Sequence, residues 1–363
     1  MASSTSLFDS YQLGAITLSN RIVMAPMTRS RAGEGDVPTA LHVEYYKQRA
    51  SAGLIITEGT QPSRHGKGYC RTPGIHTAMQ TFAWKKVTDA VHAEGGKIFL
   101  QIMHCGRVAH HANKDEDAET VAPSVVTAKG DMFTEQGMLP FDEPRELALH
   151  EIPAVIEEYY HATDNALAAG FDGVELHCTS GYLPMQFLST GTNKRNDPYG
   201  GNLLNRMRFA VEVLEAMSSV RGPECIGLRI CPGNPFNDCY DDDPVETYRN
   251  LLMHINPHGL AYVHVIQSPL PELNAYELAR ECFLGPLILN ESLDFAKGTE
   301  LVQQDAGDLV SYARHYIGNP DLVERFKTGA SLNEFDAKTL YTPGEKGYTD
   351  YPFLEEQTAG ELG

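Results

Sequence analysis

Eight short apolar segments recur along the chain, and most of them precede a stretch with helical periodicity. They are rich in Val, Ile, Leu and Ala and occupy residues 21–26, 54–60, 97–103, 173–177, 225–230, 261–267, 286–290 and 308–313. Because these segments are continuously apolar instead of alternating with polar residues, they are typical of parallel strands buried on both faces. The pattern therefore predicts eight parallel β-strands.

Amphipathic helices are predicted between these strands. One apolar face precedes the fourth strand and another follows the fifth. Their members are Ile152, Val155, Ile156, Tyr159 and Ala166 on the first, and Val245, Tyr248, Leu251, Leu252 and Ile255 on the second. Gly95, Gly170 and Gly259 stand where a glycine commonly ends a helix before the next strand. The chain is therefore expected to alternate strands with helices.

Eight successive βα units, without a Gly/Ser-rich linker or a change in composition, indicate one closed barrel instead of two Rossmann-like halves. We predict an α/β protein with a single (β/α)8 TIM barrel domain over residues 1–363. The stretch 105–149, after the third strand, is too long for an ordinary βα loop. We expect it to form an excursion over the C-terminal mouth of the barrel, near any active site.

Charge and cysteine usage narrow the possible partners and the compartment. A formal net charge of −19 argues against a nucleic-acid partner, since phosphate backbones bind clustered Lys and Arg. No run of about 18 apolar residues occurs and the N-terminus lacks a signal-like pattern, so no membrane partner is expected. The seven cysteines are scattered without a CxxC pair, which predicts neither a disulfide framework nor a metal site. A reducing, cytoplasmic location fits this pattern.

Candidate chemistry is concentrated where the strands end, since the active sites of such barrels lie at the C-terminal ends of the strands. The residues there include Pro26, Thr28, Gly59, Gln101, Arg229, Ala313 and Arg314. The loop after the fourth strand adds an imidazole, a hydroxyl and a phenol, in His177, Ser180 and Tyr182. These groups are suited to binding a carbonyl oxygen and moving a proton.

Longer motifs surround these residues. They are NRIVMAPMTRSRA (20–32), YYKQRASAGLIITEGT (45–60), LQIMHCGR (100–107), AGFDGVELH…GYL (169–183), KRNDPYGGNLLNR (194–206), GLRICP (227–232), NPDLVERF (319–326) and GYTDYP (347–352). Together and in this order they make the chain resemble the Old Yellow Enzyme family of FMN-containing ene-reductases. The resemblance implies an FMN-binding barrel that uses NADPH or NADH to reduce activated C=C bonds of α,β-unsaturated carbonyls and related electron-poor acceptors.

The resemblance also implies roles for the strand-end residues toward the flavin ring. Thr28 is expected to hydrogen-bond the flavin C4=O and Gln101 the pyrimidine edge. Arg229 is expected on the N1/C2=O side, where a positive charge stabilises the reduced ring. Pro26 and Gly59 are expected to line the ring.

By the same resemblance, Ala313 and Arg314 are expected to bind the FMN phosphate. The family usually has a glycine pair after strand seven and a Gly-Arg pair after strand eight, whereas this chain has Asn290-Glu291-Ser292-Leu293 and Ala313-Arg314. Glycine lets backbone amides approach phosphate oxygens, and an inward-pointing Glu291 would add an unfavourable charge. FMN binding is therefore expected to persist but to be weaker.

In the family's loop after strand four, a His and a residue three positions later bind the substrate oxygen, and a Tyr two positions further on donates the proton. These roles fall on His177, Ser180 and Tyr182. The family has Asn or His where this chain has Ser180, whose short hydroxyl offers a single donor, so substrate affinity and choice are expected to differ. Tyr69 and Tyr351 match aromatic positions that line the substrate cavity in relatives.

Two alternative functions are compatible with these residues. His177 and Tyr182 also suit an acid–base isomerase or lyase, and Ser180 with the altered phosphate loops suits a catalytically weakened flavin-binding protein. The favoured function has a small electrophilic substrate and a nicotinamide cofactor as its partners, in a monomer or homodimer. The missing nicotinamide-binding Rossmann fingerprint is consistent with both substrates using one flavin face in turn.

Overall fold

A computed structural model describes residues 5–356. The strands are β1 (Tyr11–Leu13), β2 (Ile16–Leu18), β3 (Ile22–Met24), β4 (Leu54–Ile56), β5 (Ile98–Ile102), β6 (Val121–Ala122), β7 (Asp131–Thr134), β8 (Gly137–Pro140), β9 (Arg145–Glu146), β10 (Gly173–His177), β11 (Ile226–Ile230), β12 (Tyr262–Ile266), β13 (Leu287–Asn290) and β14 (Leu309–Tyr312). Strands β3–β5 and β10–β14 form a closed parallel barrel. Each of the eight predicted apolar segments contains one barrel strand, so the predicted TIM barrel is confirmed.

Helices alternate with the barrel strands on the outside. They are α1 (Ala40–Gln48), α2 (Ala78–Ala93), α3 (Ile152–Ala168), α4 (Leu183–Leu188), α5 (Leu203–Arg221), α6 (Pro244–Ile255), α7 (Ala275–Cys282), α8 (Phe295–Gln303), α9 (Arg314–Gly318) and α10 (Leu322–Thr328). The predicted faces of α3 and α6 are turned inward, except that Val245 is exposed. Gly95, Gly170 and Gly259 all have positive φ, which confirms the predicted helix ends. Within residues 5–356, no helix has both the length and the apolar character needed to cross a bilayer.

The N-terminal end of the barrel is closed by the β1–β2 hairpin. Leu13 and Leu18 of this hairpin are buried against inward-facing barrel residues that include Val23, Phe99 and Leu309. Each fully buried side chain of this size contributes about 1.5–3 kcal/mol relative to an exposed one. Because apolar side chains fill this end, a polar ligand has room only at the opposite, C-terminal end of the strands.

The segment 105–149 runs between β5 and α3. It contains an antiparallel hairpin, β7–β8, and two short strands, β6 and β9, that pair with each other. Met132 of β7 is buried in a cluster with Met103 and Tyr182, which follow barrel strands β5 and β10. The hairpin therefore packs beside the C-terminal ends of those strands.

Candidate active site

A cavity of about 320 Å³ lies at the C-terminal ends of the barrel strands. Nine of the residues predicted from the sequence line it: Pro26, Thr28, Gly59, Tyr69, Gln101, His177, Ser180, Tyr182 and Arg229. They come from the ends of five barrel strands and the loops that follow them, and the parallel register brings them together; Gln101 pairs with Glu175, and Arg229 with His177. The cavity therefore unites the predicted flavin-ring residues with the predicted substrate residues.

A chain of buried hydrogen bonds fixes the floor of this cavity. Gln101 Nε2 donates to Glu175 Oε1 at 2.7 Å, and the other carboxylate oxygen lies 2.8 Å from His264 Nδ1. His264 Nε2 in turn lies 2.8 Å from Ser311 Oγ. Burial alone would raise the pKa of Glu175, but the nearby His264 and Arg229 hold it below its usual value. An ionised Glu175 holds the amide nitrogen of Gln101, which leaves the amide oxygen as the acceptor for a ligand.

Arg229 is a buried cation at the same end of the barrel. Its Nη2 donates to Asn290 Oδ1 at 2.8 Å, and Asn290 Nδ2 donates to the Ser311 carbonyl at 3.1 Å. Burial lowers the pKa of Arg229 from its usual value, and Glu175 opposes that shift, so the guanidinium keeps its proton at neutral pH. Arg229 Nε is buried without a hydrogen-bond partner among residues 5–356.

His177 and Tyr182 stand edge to face, with ring centroids 4.8 Å apart. The Tyr182 hydroxyl lies 3.0 Å from the Tyr69 hydroxyl. Burial, followed by the charges of Arg229 and His264, lowers the pKa of His177 well below its usual range, whereas burial raises the pKa of Tyr182 well above its own. At neutral pH the site therefore combines a neutral imidazole with a protonated phenol.

Ser180 lies in the tight loop between these two side chains. Its φ is 58°, a left-handed conformation, and its carbonyl accepts a 2.8 Å hydrogen bond from Asn237 Nδ2. The next residue must be glycine, because a Cβ on Gly181 would lie 2.8 Å from the Phe236 carbonyl oxygen. Ser180 is among the residues that line the cavity, and its side chain is shorter than the amide or imidazole that the resemblance implies at this position.

A second cavity, of about 350 Å³, lies beyond the ends of β13 and β14. It is lined by residues 290–294 and 311–315, which include the predicted phosphate residues Ala313 and Arg314. Glu291 and Ser292, at the family's glycine pair, have φ values of 116° and 49°. The backbone therefore keeps a conformation suited to glycine while it carries side chains, which costs about 1–3 kcal/mol for a strained residue.

Tyr351 was expected to line the substrate cavity, but Tyr341 lines the main cavity instead. The Tyr351 hydroxyl accepts a hydrogen bond from the Asp336 backbone N–H at 3.0 Å. The chain turns between the two tyrosines, where Gly344 has positive φ and its carbonyl accepts from Arg31 Nε at 3.0 Å. The buried Arg31 side chain anchors this turn and so directs Tyr341 to the cavity. The spacing of the two tyrosines in the sequence does not reveal this contact.

A model of the NADH:flavin oxidoreductase / NADH oxidase family matches residues 6–333. The chain belongs to this family, the Old Yellow Enzyme family. Among its relatives, "Probable flavin mononucleotide-dependent alkene reductase" of Leishmania infantum is 43% identical and covers 94% of this chain and 96% of its own. 12-Oxophytodienoate reductase 1 of Oryza sativa subsp. japonica is 41% identical, with coverages of 98% and 95%.

Solved structures agree with this membership. Morphinone reductase in complex with tetrahydroNAD has a TM-score of 0.92 at 44% identity and covers 96% of this chain and 98% of its own. The Old Yellow Enzyme homologue from Zymomonas mobilis has a TM-score of 0.94 at 38% identity, with coverages of 96% and 100%. This Old Yellow Enzyme family member is therefore an FMN-dependent NAD(P)H oxidoreductase of the alkene reductase class, as predicted. These relatives lend no support to the isomerase or lyase alternative.

The cavity residues of this Old Yellow Enzyme family member fit FMN chemically. Arg229 and His177 line the cavity, and Arg229 Nε and His177 Nδ1 are buried atoms with no hydrogen-bond partner in the described part of the chain. An unpartnered buried polar atom costs about 1–3 kcal/mol, which a bound ligand with matching groups recovers. Arg229 matches an electron-rich oxygen or nitrogen, and the amide oxygen of Gln101 matches a ring N–H.

Two buried residues of the site, Glu175 and His264, were missed from the sequence. A charged residue inside an apolar strand segment is the signal that identifies them, since a buried charge needs a partner. The other missed cavity-lining residues are Ile266, at the C-terminal end of β12, and four side chains from the β7–β8 hairpin and from loops: Ser30, Phe133, Phe236 and Tyr341. Only the three-dimensional path of those loops brings them to the cavity.

One group of possible metal ligands lies outside the cavity. His110, His111 and Asp142 have ligand atoms within 4.8 Å of one another. The Nδ1 of His110 already accepts from the Ala112 N–H at 3.0 Å, and the Nδ1 of His111 lies 2.9 Å from Asp142 Oδ1. Internal hydrogen bonds therefore account for this cluster.

Proposed function

We propose that the main cavity reduces small, electron-poor alkenes conjugated to a carbonyl or a similar group. The observation that carries this proposal is the meeting of Gln101 and Arg229 with His177 and Tyr182 around one cavity. When bound, FMN supplies a hydride from its N5 to the β-carbon of the acceptor.

The ring-binding roles follow from the groups that each residue offers. Thr28 offers a hydroxyl and Gln101 an amide oxygen held by Glu175, and both suit the edge of the flavin ring. Arg229 offers a buried cation to the side that gains negative charge on reduction. Pro26 and Gly59 form part of the wall beside the ring. In the second cavity, Ala313 and Arg314 are proposed to hold the phosphate through a backbone N–H and a guanidinium.

His177 and Ser180 are proposed to bind the carbonyl oxygen of the acceptor, because a neutral imidazole and a hydroxyl both donate a hydrogen bond to it. Tyr182, which is protonated at neutral pH, then gives its proton to the α-carbon. Tyr69 lies within hydrogen-bonding distance of Tyr182 and supports the phenolate that remains. Tyr69 also forms part of the substrate wall.

We further propose that residues 1–363 act as one domain in which the segment 105–149 caps the site. Phe133 of this segment lines the main cavity and so meets any ligand there. A cytoplasmic location is proposed because all seven cysteines, which lie within the described residues, are buried free thiols. A monomer or a homodimer is compatible with this site, which one chain completes.

Two measurements test the function. The purified protein should show flavin absorption, and Tyr182→Phe should leave flavin reduction by NADPH normal while slowing 2-cyclohexenone reduction by about 10²- to 10⁴-fold. Tyr160→Phe, on the outer helix α3, should change neither rate. A protein that binds no FMN under expression with ample flavin contradicts the whole proposal, whereas unchanged enone turnover in Tyr182→Phe contradicts only the assigned proton donor.

A catalytically weakened flavoprotein is the second candidate, and it is favoured by Ser180 and by the side chains in the phosphate loop. It predicts FMN binding without NADPH-driven reduction of either 2-cyclohexenone or a quinone. Turnover with either acceptor excludes it.

A further inference from the structure

Arg71, in the loop between β4 and α2, contacts three separate segments of the chain at once. Its Nε donates to the Ser30 carbonyl at 2.9 Å, and its Nη2 donates to the Tyr341 carbonyl at 2.8 Å. Its Nη1 forms an ion pair with Glu135 in the turn of the β7–β8 hairpin. One guanidinium thus joins the loop after β3, the hairpin of segment 105–149 and the segment around Tyr341, here called the C-terminal segment.

Each of these three segments supplies a wall of the main cavity. Ser30 belongs to the first, Phe133 to the second and Tyr341 to the third. Phe133 is 38% exposed and Tyr341 is 50% exposed, so these two aromatic residues stand where the cavity meets solvent. The separation between the hairpin and the C-terminal segment therefore sets the width of the entrance.

The hairpin is anchored differently at its two ends. Its base is fixed, because Met132 is buried against the cavity wall and the Phe133 carbonyl accepts from Asn113 Nδ2 at 2.9 Å. Its turn meets Arg71 through Glu135, whose side chain is 62% exposed. An ion pair with so exposed a partner is weak and is screened by salt. The turn can therefore move while the base stays in place.

The backbone of Arg71 is held in a costly conformation. Its φ is 53°, in the left-handed region, and its carbonyl accepts from the Ala32 N–H at 3.0 Å. A non-glycine residue keeps such a conformation when the surrounding structure over-determines it. Here the backbone and the Nε of Arg71 both hold the loop of Ser30 and Ala32, so the guanidinium is aimed across the entrance.

We propose that Arg71 is a specificity-determining residue that clasps the β7–β8 hairpin to the C-terminal segment and so limits the size of the acceptor. Small ligands pass the closed entrance, whereas bulky ligands need the Arg71–Glu135 contact to open. The proposal rests on the main cavity being the acceptor site.

The test compares phenol with 4-phenylphenol as probes, since phenols mimic the enone oxygen and are followed by the absorbance of the bound flavin. Glu135→Gln keeps the side-chain shape but removes the charge. In this variant the association rate of 4-phenylphenol should rise about two- to fivefold, while that of phenol stays unchanged. Salt at about 1 M should produce the same rise in the wild-type protein and none in Glu135→Gln.

Glu119→Gln is the matched control, because Glu119 forms an exposed ion pair with Arg145 in the same segment, away from the main cavity. Equal changes for both phenols, or the same change in Glu119→Gln, overturn the proposal. Amide hydrogen exchange across residues 131–140 provides a readout that needs no ligand, and it should accelerate in Glu135→Gln alone. Unchanged exchange overturns the clasp, whereas a failure of both phenols to alter the flavin spectrum contradicts the assigned acceptor site.

Discussion

The two cavities at the C-terminal end of the barrel are built in opposite ways. In the main cavity the proposed ring-binding groups Gln101 and Arg229 belong to barrel strands and are buried, as in the Gln101–Glu175–His264 chain. In the second cavity the proposed phosphate-binding groups lie beyond the barrel strands, where Arg314 begins α9 and is exposed and Glu291 has a strained backbone. The groups proposed to bind the ring are therefore fixed by the packing of the barrel, whereas those proposed to bind the phosphate lie in the segments after β13 and β14, which can vary without disturbing that packing.

Asn290 links the two cavities. It ends β13, lines the second cavity and accepts a hydrogen bond from Arg229 of the main one. Its own carbonyl accepts from the Tyr276 hydroxyl, so the loop that contains Glu291 begins from a fixed point. Changes in the loop that contains Glu291 should therefore alter phosphate binding and leave the position of Arg229 intact.

Replacing Arg229 by Met should have the largest effect. The variant removes the buried cation next to the developing negative charge, and it removes one of the residues that, with His264, hold the pKa of Glu175 below its usual value. Loss of one such group costs about 10²- to 10³-fold in rate, so flavin reduction by NADPH in anaerobic stopped-flow should slow by that amount. Arg249→Met, at an exposed ion pair on α6, is the control and should react normally. An unchanged rate of flavin reduction in flavin-loaded Arg229→Met would contradict the role of the main cavity in stabilising the reduced ring.

Arg314→Ala should affect binding instead of chemistry. An exposed guanidinium gives about a tenfold change in affinity for a phosphate, and its effect weakens with salt. The dissociation constant of FMN should therefore rise about tenfold at low salt, with a normal rate of reduction once the site is saturated. Arg208→Ala, on the exposed face of α5, should leave FMN binding unchanged. A slower chemical step at saturation contradicts the separation of the two cavities.

The same contrast explains what the sequence alone can predict. The strands and the ring residues were predictable because a buried parallel strand needs a continuous apolar segment, and because functional groups follow its C-terminal end. Tyr341 was not, since its direction depends on a turn anchored by Arg31, more than 300 positions earlier in the chain. The contacts of Arg71 could not be predicted for the same reason, because its three partners are distant in sequence.

Glu291→Gly should strengthen FMN binding at the second cavity. Glycine relieves the strain at φ 116° and removes a carboxylate beside the phosphate position, although it adds about 0.5–1 kcal/mol of unfolded-state entropy. FMN should bind about fivefold more tightly. Asp305→Gly relieves a left-handed residue in the α8–β14 loop, outside both cavities, and should not change FMN affinity. Equal affinity in wild-type and Glu291→Gly proteins would mean that the Glu291 carboxylate points away from the phosphate.

Ser180→Asn should have the smallest effect, and it tests a residue of the main cavity that departs from the family pattern. The left-handed φ of 58° suits Asn better than most residues, so the substitution should not strain the loop. An amide reaches further than a hydroxyl and adds a donor, and one neutral hydrogen bond in the lower part of its usual range contributes about 0.5–1 kcal/mol. A phenol titrated against the flavin spectrum should therefore bind about two- to fivefold more tightly, whereas Ser180→Ala should weaken it. If the Asn variant and the wild-type protein bind the phenol equally, the Ser180 hydroxyl already reaches the acceptor oxygen.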